Sequence, residues 1–320
     1  MARALWYVAP QKAELRTEQL PAPGPGEARV TTSFSAISRG TERLVFSGAV
    51  AESEWARMAC PMQAGQFPFP VKYGYCATGI VDAGPDDLRG RAVFALHPHQ
   101  DVFVAPADRL CPLPEGLPLR RATLAANMET ALNAHWDATT GPGDRIAVVG
   151  AGVVGLLVAF IAARLPGADV TVVDIAAERR DLVEALGARF ALPDRAPKDC
   201  DVVFHTSVSA AGLNVAIDAA GTEARIVELS WYGDRETPVR LGGAFHSQRL
   251  QLVSTQVGMV SAGRRVRWSY RRRLEKALEL LADPALDALL PDDIAFDDLP
   301  ARLPTFLAPG ASGLAPVVRY

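Results

Sequence analysis

The segment that most constrains the fold of this chain is GAGVVG at residues 150–155, a complete Gly-x-Gly-x-x-Gly pattern. It follows a β-branched run at residues 145–149 and opens an apolar stretch, and Asp174 ends the next short strand pattern, 19 residues beyond Gly155. This order and spacing of a strand, a glycine turn, a helix and an acidic residue are typical of a βαβ unit that binds a dinucleotide. The alternative is a strand–helix turn that binds no ligand. Alternating strand and helix patterns continue to about residue 257, which predicts a doubly wound parallel sheet.

Each residue of the turn has a predicted part in this Rossmann unit. Gly150 permits the tight turn, Gly152 lets the backbone approach a pyrophosphate, and Gly155 lets the helix pack close to the strand. Val153 and Val154 open the helix whose N-terminus faces the phosphates.

Asp174 is the residue that we expect to distinguish NAD from NADP. A carboxylate at this position accepts hydrogen bonds from the adenosine ribose and repels a 2′-phosphate, which favours NAD over NADP. Arg179 and Arg180 leave NADP open, because either could reach a 2′-phosphate from the start of the next helix, or could be an ordinary solvated residue.

Composition excludes several classes of protein. The 320 residues include 33 Lys+Arg and 36 Asp+Glu, a formal net charge of −3, which argues against coating nucleic acid. Residues 146–163 are uncharged, and this run is long enough to span a membrane as a helix. The glycines within it and the strand pattern after it favour a βαβ unit instead, so we expect no membrane partner. The N-terminus shows no signal-peptide pattern, so we expect a cytoplasmic protein.

Residues 1–121 carry short apolar runs separated by Pro and Gly turns, typical of a β-rich domain. We therefore predict a catalytic domain of residues 1–121 and 258–320 around a Rossmann domain of residues 122–257.

Three strings in the β-rich part resemble the medium-chain dehydrogenase/reductase superfamily, the zinc alcohol dehydrogenase type of fold. ISRGTERLVFSG at 37–48 is similar to its Cys-Gly-Thr-Asp segment, KYGYCATGIVDAG at 72–84 to its Gly-His-Glu segment, and FVAPADRLCPLPEGL at 103–117 to its approach to the domain junction. SRGTE together with YGY looks closest to the branch that contains bacteriochlorophyllide dehydrogenases. The resemblance implies a GroES-like catalytic domain and a homodimer.

When these strings are matched to the family, none of its usual zinc ligands is present. Arg39, Tyr75 and Asn127 stand at the three ligand positions, and none is a usual zinc ligand. The four-cysteine structural lobe is also absent, since residues 93–102 run straight through its place. We expect no zinc, with an alternative metal site left open among Glu42, Cys76, His97, His99 and Glu129.

Without a metal, hydrogen-bond donors must polarise the substrate oxygen. Tyr75 is the first candidate because it replaces a ligand and its phenol can donate a proton. Thr41 matches the family's proton-relaying hydroxyl, Arg39 could bind pyrophosphate or an oxyanion, and His99 could end a relay. Each could instead be a packing residue.

Further cofactor contacts rest on the resemblance alone. Thr130 and Thr206, with Ser207, match positions behind the nicotinamide ring. Ser230 ends a strand where loops bind ligand, followed by Trp231 and Tyr232. The segment 254–257, which includes Thr255 and Val257, looks like the one that holds the carboxamide.

An arginine-rich stretch follows residue 258, with Trp268 and Tyr270 interleaved. Solvated helix residues are one interpretation, with Glu275 as an available pair partner, and recognition of an anionic small-molecule substrate is the other. The stretch contains Arg264, Arg265, Arg267, Arg271, Arg272 and Arg273.

The sequence thus predicts a zinc-independent, NAD-linked oxidoreductase that moves a hydride between nicotinamide and a secondary alcohol or ketone. Reduction of an activated C=C bond by NADPH and dinucleotide binding without catalysis are the two alternatives.

Overall fold

The computed structural model describes residues 1–314 and 316–320, which form two compact units. The first unit comprises residues 1–126 and 278–320, and the second comprises residues 127–277.

The first unit is rich in strands, as the short apolar runs predict. Its elements before residue 127 are β1 (Ala2–Ala9), β2 (Lys12–Glu18), β3 (Glu27–Ala36), α1 (Arg39–Ser47), α2 (Trp55–Met58), β4 (Ala64–Gly65), β5 (Val71–Lys72), β6 (Ala77–Ala83), β7 (Ala92–Ala95), β8 (Val102–Pro106), β9 (Cys111–Pro112), α3 (Leu119–Ala122) and the start of α4 (Ala125–Ala138).

The second unit alternates strands and helices. Its elements after α4 are β10 (Arg145–Val149), α5 (Val153–Ala162), β11 (Asp169–Val173), α6 (Arg180–Ala185), β12 (Arg189–Ala191), β13 (Cys200–His205), α7 (Ala210–Ala219), β14 (Ala220–Glu228), α8 (Ala244–Ser247), β15 (Gln251–Ser254) and α9 (Tyr270–Leu280), whose last residues belong to the first unit. The first unit then closes with β16 (Asp293–Ala295), α10 (Leu299–Phe306) and β17 (Val317–Arg319).

Two sheets build the first unit. One has the strand order β2-β1-β5-β4, and the other has the order β16-β17-β3-β6-β7-β9, with β8 also paired to β3. Alternate residues of β3, such as Ala28 and Val30, are fully buried and pack with Val81 and Phe103, because successive side chains of a strand point to opposite faces.

The sheet of the second unit is parallel throughout, in the order β12-β11-β10-β13-β14-β15. Numbered from its own first strand this is 3-2-1-4-5-6, the doubly wound order. The prediction of a Rossmann sheet beside a β-rich domain is therefore confirmed. Its order reverses between β10 and β13, where such folds bind ligands beyond the carboxyl ends of the strands.

The uncharged run at 146–163 is divided between β10, the glycine turn and α5. In the part of the chain that the structure describes, no helix has the length and apolar character needed to cross a membrane.

Residues 258–277 lie in the second unit, although the sequence assigns them to the catalytic domain. The reason is Arg273, whose side chain is 2% exposed and whose Nε donates to Glu129 Oε1 over 2.8 Å. Its Nη1 donates to Asn133 Oδ1 at 2.7 Å and to the carbonyl of Met259 at 3.1 Å. A buried cation must be paired and hydrogen-bonded, so it holds this segment against α4.

The arginines of this stretch therefore have different partners. Arg273 is structural, Arg271 pairs with Glu275 at 2.7 Å on the surface, and Arg272 stacks on Trp268 at 4.1 Å. The expected pair of Arg271 with Glu275 is present, and the buried Arg273 is not available to a substrate in this structure.

Replacing Arg273 by Ala should lower the free energy of unfolding by about 3–5 kcal/mol, since it leaves Glu129 buried without a counter-charge. Burial already raises the pKa of Glu129 despite the opposing effect of Arg273. Arg271→Ala is the matched control and should cost about 0.5 kcal/mol, as for an exposed i,i+4 pair. Urea unfolding of the two variants measures the difference, and equal losses would contradict the structural role.

Candidate functional site

The glycine turn has the geometry that a pyrophosphate site requires. Gly150 adopts φ +115°, and a Cβ there would come within 2.6 Å of Thr206 Oγ1. A Cβ on Gly155 would overlap the carbonyl oxygen of Gly150, so only glycine allows α5 to approach β10. A Cβ on Gly152 would meet no heavy atom within 4 Å, which leaves the N-terminus of α5 open, with Val153 and Val154 in its first turn.

Asp174 lies directly after β11, and its carboxylate reaches back to the glycine turn. Oδ2 accepts the Ala151 N–H at 2.5 Å, and Oδ1 accepts the Ala176 N–H at 2.8 Å. A carboxylate has about four acceptor positions, so two remain for ribose hydroxyls. Arg180 instead stacks on Phe190 at 4.8 Å.

Four of the other predicted cofactor residues have partners within the second unit. Thr206 Oγ1 donates to the carbonyl of Gly150 at 3.0 Å, and Thr255 Oγ1 donates to Asp137 Oδ2 at 2.6 Å. The Val257 carbonyl accepts from Arg273, and the Ser230 hydroxyl accepts the Val208 N–H. Thr206 therefore holds the backbone of the glycine turn, Thr255 bonds a side chain of α4, and Thr130 lies half-buried on α4.

A cluster of three hydroxyls lies in the first unit, where the sequence predicts catalysis. Tyr75 is half-buried, and its phenol donates to Ser38 Oγ over 2.6 Å, with Thr41 also in hydrogen-bond contact. Desolvation raises the pKa of Tyr75 well above its usual range, although both hydroxyls oppose the shift. The phenol therefore stays protonated and can act as a hydrogen-bond donor.

Arg39 points elsewhere in the structure. It opens α1, and its Nη1 donates to the carbonyls of Gly313 at 2.7 Å and Ala311 at 3.1 Å. The predicted contact with a pyrophosphate or oxyanion is thus replaced by one with the 311–313 segment, because buried guanidinium donors need acceptors and these carbonyls supply them.

His99 belongs to a buried network centred on Glu42. Its Nε2 lies 3.0 Å from Glu42 Oε2 and its Nδ1 lies 2.7 Å from Ser35 Oγ. Tyr7 OH donates to the same carboxylate at 2.6 Å, and the Ser38 N–H donates to its other oxygen at 2.7 Å. Both ring nitrogens of His99 are occupied, so it holds Glu42 and, through the Ser38 backbone, the start of α1.

Sequence reasoning missed Tyr7, Ser35 and Tyr320, whose hydroxyl lies 3.0 Å from Ser35 Oγ. Tyr7 lies in β1 and Tyr320 follows β17, so almost the whole chain separates them. Their sequence context carries no signal that would have united them.

The residues at the family's ligand positions do not suit zinc. A guanidinium turned to carbonyls and a protonated phenol are not zinc donors, and an amide such as that of Asn127 is not a usual one. Cys76 is buried and its pKa is raised, which keeps the thiol protonated. Among the described residues, no group of three or more His, Cys, Asp or Glu side chains could hold a metal.

His97, one of the alternative ligands, is a packing residue. It is buried, its ring stacks on Phe103 at 3.8 Å, and its Nδ1 lies 2.9 Å from the Pro98 carbonyl. Desolvation lowers the pKa of His97 to about 3.

This shift predicts how stability depends on pH. Because the folded-state pKa lies below the unfolded value of 6.5, stability should be complete above pH 6.5 and fall as pH decreases toward 3. The slope due to His97 is about 1.4 kcal/mol per pH unit in this window. Chemical unfolding of His97→Gln between pH 7 and 4 should show a shallower slope than wild type.

The exposed His246 is the control for this experiment. His246→Gln should leave the slope unchanged. A slope of His97→Gln equal to that of wild type would show that folding does not lower the pKa of His97.

Comparison with known proteins supports the fold. A family model described as alanine dehydrogenase/PNT, C-terminal domain, matches residues 137–227, less than a third of the chain. An uncharacterized zinc-type alcohol dehydrogenase-like protein of Haemophilus influenzae is 24% identical over 208 residues, 63% of this chain and 59% of that protein. The chain thus spans about three fifths of the length of this curated relative.

Solved structures match the whole chain. A zinc-binding dehydrogenase from Sinorhizobium meliloti bound to NADP superimposes with a TM-score of 0.79 at 17% identity, covering 100% of this chain and 99% of the other. An alcohol dehydrogenase from Escherichia coli complexed with NADH gives 0.77 at 15% identity, with the same coverage. The chain has the fold of the zinc-binding dehydrogenases.

Proposed function

We propose that this protein is an NAD-linked oxidoreductase of the alcohol dehydrogenase type, acting on a small secondary alcohol or ketone without zinc. The observation that carries the proposal is the half-buried Tyr75 phenol, which is held by Ser38. The resemblance matches this residue to a zinc-ligand position of the family. The glycine turn, with open space over Gly152, supports the dinucleotide part. The dehydrogenases that share the fold support the reaction class.

Bound NADH supplies the hydride in this reaction. Tyr75 donates its hydrogen bond to the ketone oxygen and, as negative charge develops there, transfers its proton, because an alkoxide is more basic than a phenolate. Ser38 and Thr41 then stabilise the phenolate through their hydroxyls, which already lower the pKa of Tyr75 against the effect of burial. A ketone, a hydride and a proton give the alcohol, and the reverse sequence oxidises it.

Preference for NAD follows from Asp174. Its carboxylate is fixed by two backbone N–H groups with acceptor capacity to spare, so it can accept from ribose hydroxyls and would repel a phosphate. Arg180, one of the two arginines that could neutralise a 2′-phosphate, stacks on Phe190 and pairs with Glu184 at 3.6 Å, whereas Arg179 keeps NADP open as the alternative.

Tyr75→Phe should lower kcat for ketone reduction by about 100-fold or more, the range for loss of a general acid. The affinity for NADH should remain unchanged because Tyr75 lies outside the glycine turn. Steady-state kinetics on a panel of ketones and enones, with NADH fluorescence titration, measures both. Tyr73→Phe, a neighbouring phenol that donates to the Met58 carbonyl, is the matched control and should retain activity.

Turnover of enones alone would instead favour C=C reduction, and binding of NADH without any turnover would favour a non-catalytic role. Metal analysis of the purified protein tests zinc independence. One zinc per chain, with activity lost on chelation, would contradict the mechanism.

Asp174→Ser should abolish the cofactor preference. We expect wild type to bind NADH at least tenfold more tightly than NADPH, and the variant to lose this difference because the repulsive charge is gone. Fluorescence titration with both dinucleotides measures the ratio. Asp181→Ser, on the exposed start of α6, should leave it unchanged.

A further inference from the structure

A strongly basic loop lies between β15 and α9, and the proposed function does not use it. Residues 258–273 contain six arginines and no acidic residue, in a chain whose net charge is −3. Of these arginines, only Arg273 is buried. Protein surfaces normally intersperse both signs of charge, so a cluster of one sign is suited to attracting an oppositely charged partner. Residues 262–267 are called the arginine loop below.

Both ends of the arginine loop are anchored to α4. Before the loop, the Ser261 N–H donates to the buried side chain of Asn133 at 3.1 Å. After it, Trp268 packs against Trp136 with the ring centroids 4.7 Å apart. The Arg265 N–H donates to the Ser261 carbonyl at 3.0 Å and closes a turn inside the loop. The loop is therefore held in shape before any partner binds, which lowers the entropy lost on binding.

Three arginines of the loop carry charge that the protein does not neutralise. Arg264, Arg265 and Arg267 are exposed, and in the described part of the chain no carboxylate forms an ion pair with any of them. The neighbouring Arg271, by contrast, pairs with Glu275. The three guanidinium groups can therefore bind phosphate or carboxylate oxygens of a partner without first breaking an ion pair.

Exposed apolar side chains accompany these charges. Val266 of the arginine loop is 91% exposed, and Met259 and Tyr270 are 59% and 58% exposed. The Tyr270 hydroxyl donates to the Gly258 carbonyl at 2.9 Å, which places its ring beside Met259. A single exposed apolar residue is ordinary, whereas apolar and aromatic side chains grouped with cations are typical of a surface that contacts the membrane interface.

The indole rings of this surface are already covered. Arg264 lies over Trp136 with its guanidinium carbon 5.8 Å from the ring centroid, and Arg272 lies over Trp268 at 4.1 Å. Each indole thus has an arginine over it and the other indole beside it. Nucleobases bind by stacking on open aromatic faces, so this arrangement argues against a single-stranded nucleic acid.

A second copy of the chain is also a poor partner for this surface. A two-fold contact places the same patch of both copies together, so the unpaired cations of the arginine loop would face one another. The repulsion between them would oppose the contact. An anionic surface that also has an apolar layer matches both the charges and the exposed side chains.

We propose that the arginine loop docks the protein on the surface of a membrane that contains anionic lipids. Arg264, Arg265 and Arg267 bind the charged headgroups, and Val266 enters the boundary between headgroups and acyl chains. This peripheral contact requires no membrane-crossing helix. It departs from the expectation of no membrane partner, which was drawn from residues 146–163.

Cosedimentation of the intact chain with vesicles tests the proposal. Vesicles of phosphatidylglycerol and phosphatidylcholine in equal parts should bind the protein, and vesicles of phosphatidylcholine alone should not. Binding should weaken as added salt screens the charges. Each arginine near an anionic surface contributes about fivefold to binding, so the variant Arg264→Gln/Arg265→Gln/Arg267→Gln should bind about 100-fold more weakly.

The matched control removes the same charge from three exposed arginines elsewhere in the second unit. This variant, Arg195→Gln/Arg240→Gln/Arg249→Gln, should bind the vesicles as wild type does. Circular dichroism should show both variants folded, because all six side chains lie on the surface. No binding of anionic vesicles by wild type, or an equal loss in the two variants, would overturn the proposal.

The location of Val266 in the bound state has its own test. All four native cysteines are buried, so a polarity-sensitive dye on Val266→Cys reports this position alone. Its emission should shift to shorter wavelength when anionic vesicles bind. The same dye on Leu241→Cys, at an exposed apolar residue outside the loop, should not shift. Unshifted emission at position 266, or binding of an oligonucleotide without binding of vesicles, would contradict membrane docking.

Discussion

The close approach of α5 to β10 is the contact on which the dinucleotide crevice depends. Gly155 lies against the carbonyl of Gly150, and any side chain there would separate helix from strand. Thr206 then bonds the same carbonyl from β13, so the turn is fixed from both sides of the switch point. The open helix N-terminus beside Gly152 results from this packing, and Asp174 lies close to it because β11 is the neighbour of β10 in the sheet.

The first unit has the fold of zinc-binding dehydrogenases. At the positions that the resemblance matches to zinc ligands, the chain has a phenol and a guanidinium, and burial keeps the phenol protonated. Glu42 and His99, both capable ligands by residue type, bond each other and a set of hydroxyls. Their function is to hold the start of α1, from which Ser38 and Thr41 reach Tyr75.

Buried polar groups account for most differences between expectation and structure. Arg273 looked like one of six surface arginines, but its buried bonds to Glu129 and Asn133 place residues 258–277 with the Rossmann sheet. Arg39 looked like a ligand-binding cation but contacts carbonyls some 270 residues away. A run of charged residues indicates that a helix face is solvated, but this holds only on average. One residue of the run can be buried against a partner that is distant in sequence.

The sequence alone predicted the doubly wound sheet, the glycine turn and the acidic residue after the second strand, because each depends on residue type and local spacing, and the structure has all three. The resemblance pointed to Tyr75 and Thr41 as candidates, whereas the bond of Tyr75 to Ser38 appears only in the structure. Tertiary structure decided the partners: Glu42 with His99 and Tyr7, His205 with Ser207 and Glu228, and the place of residues 258–277. Hydrogen-bond direction and burial depend on atoms brought together from distant parts of the chain, and no local pattern encodes them.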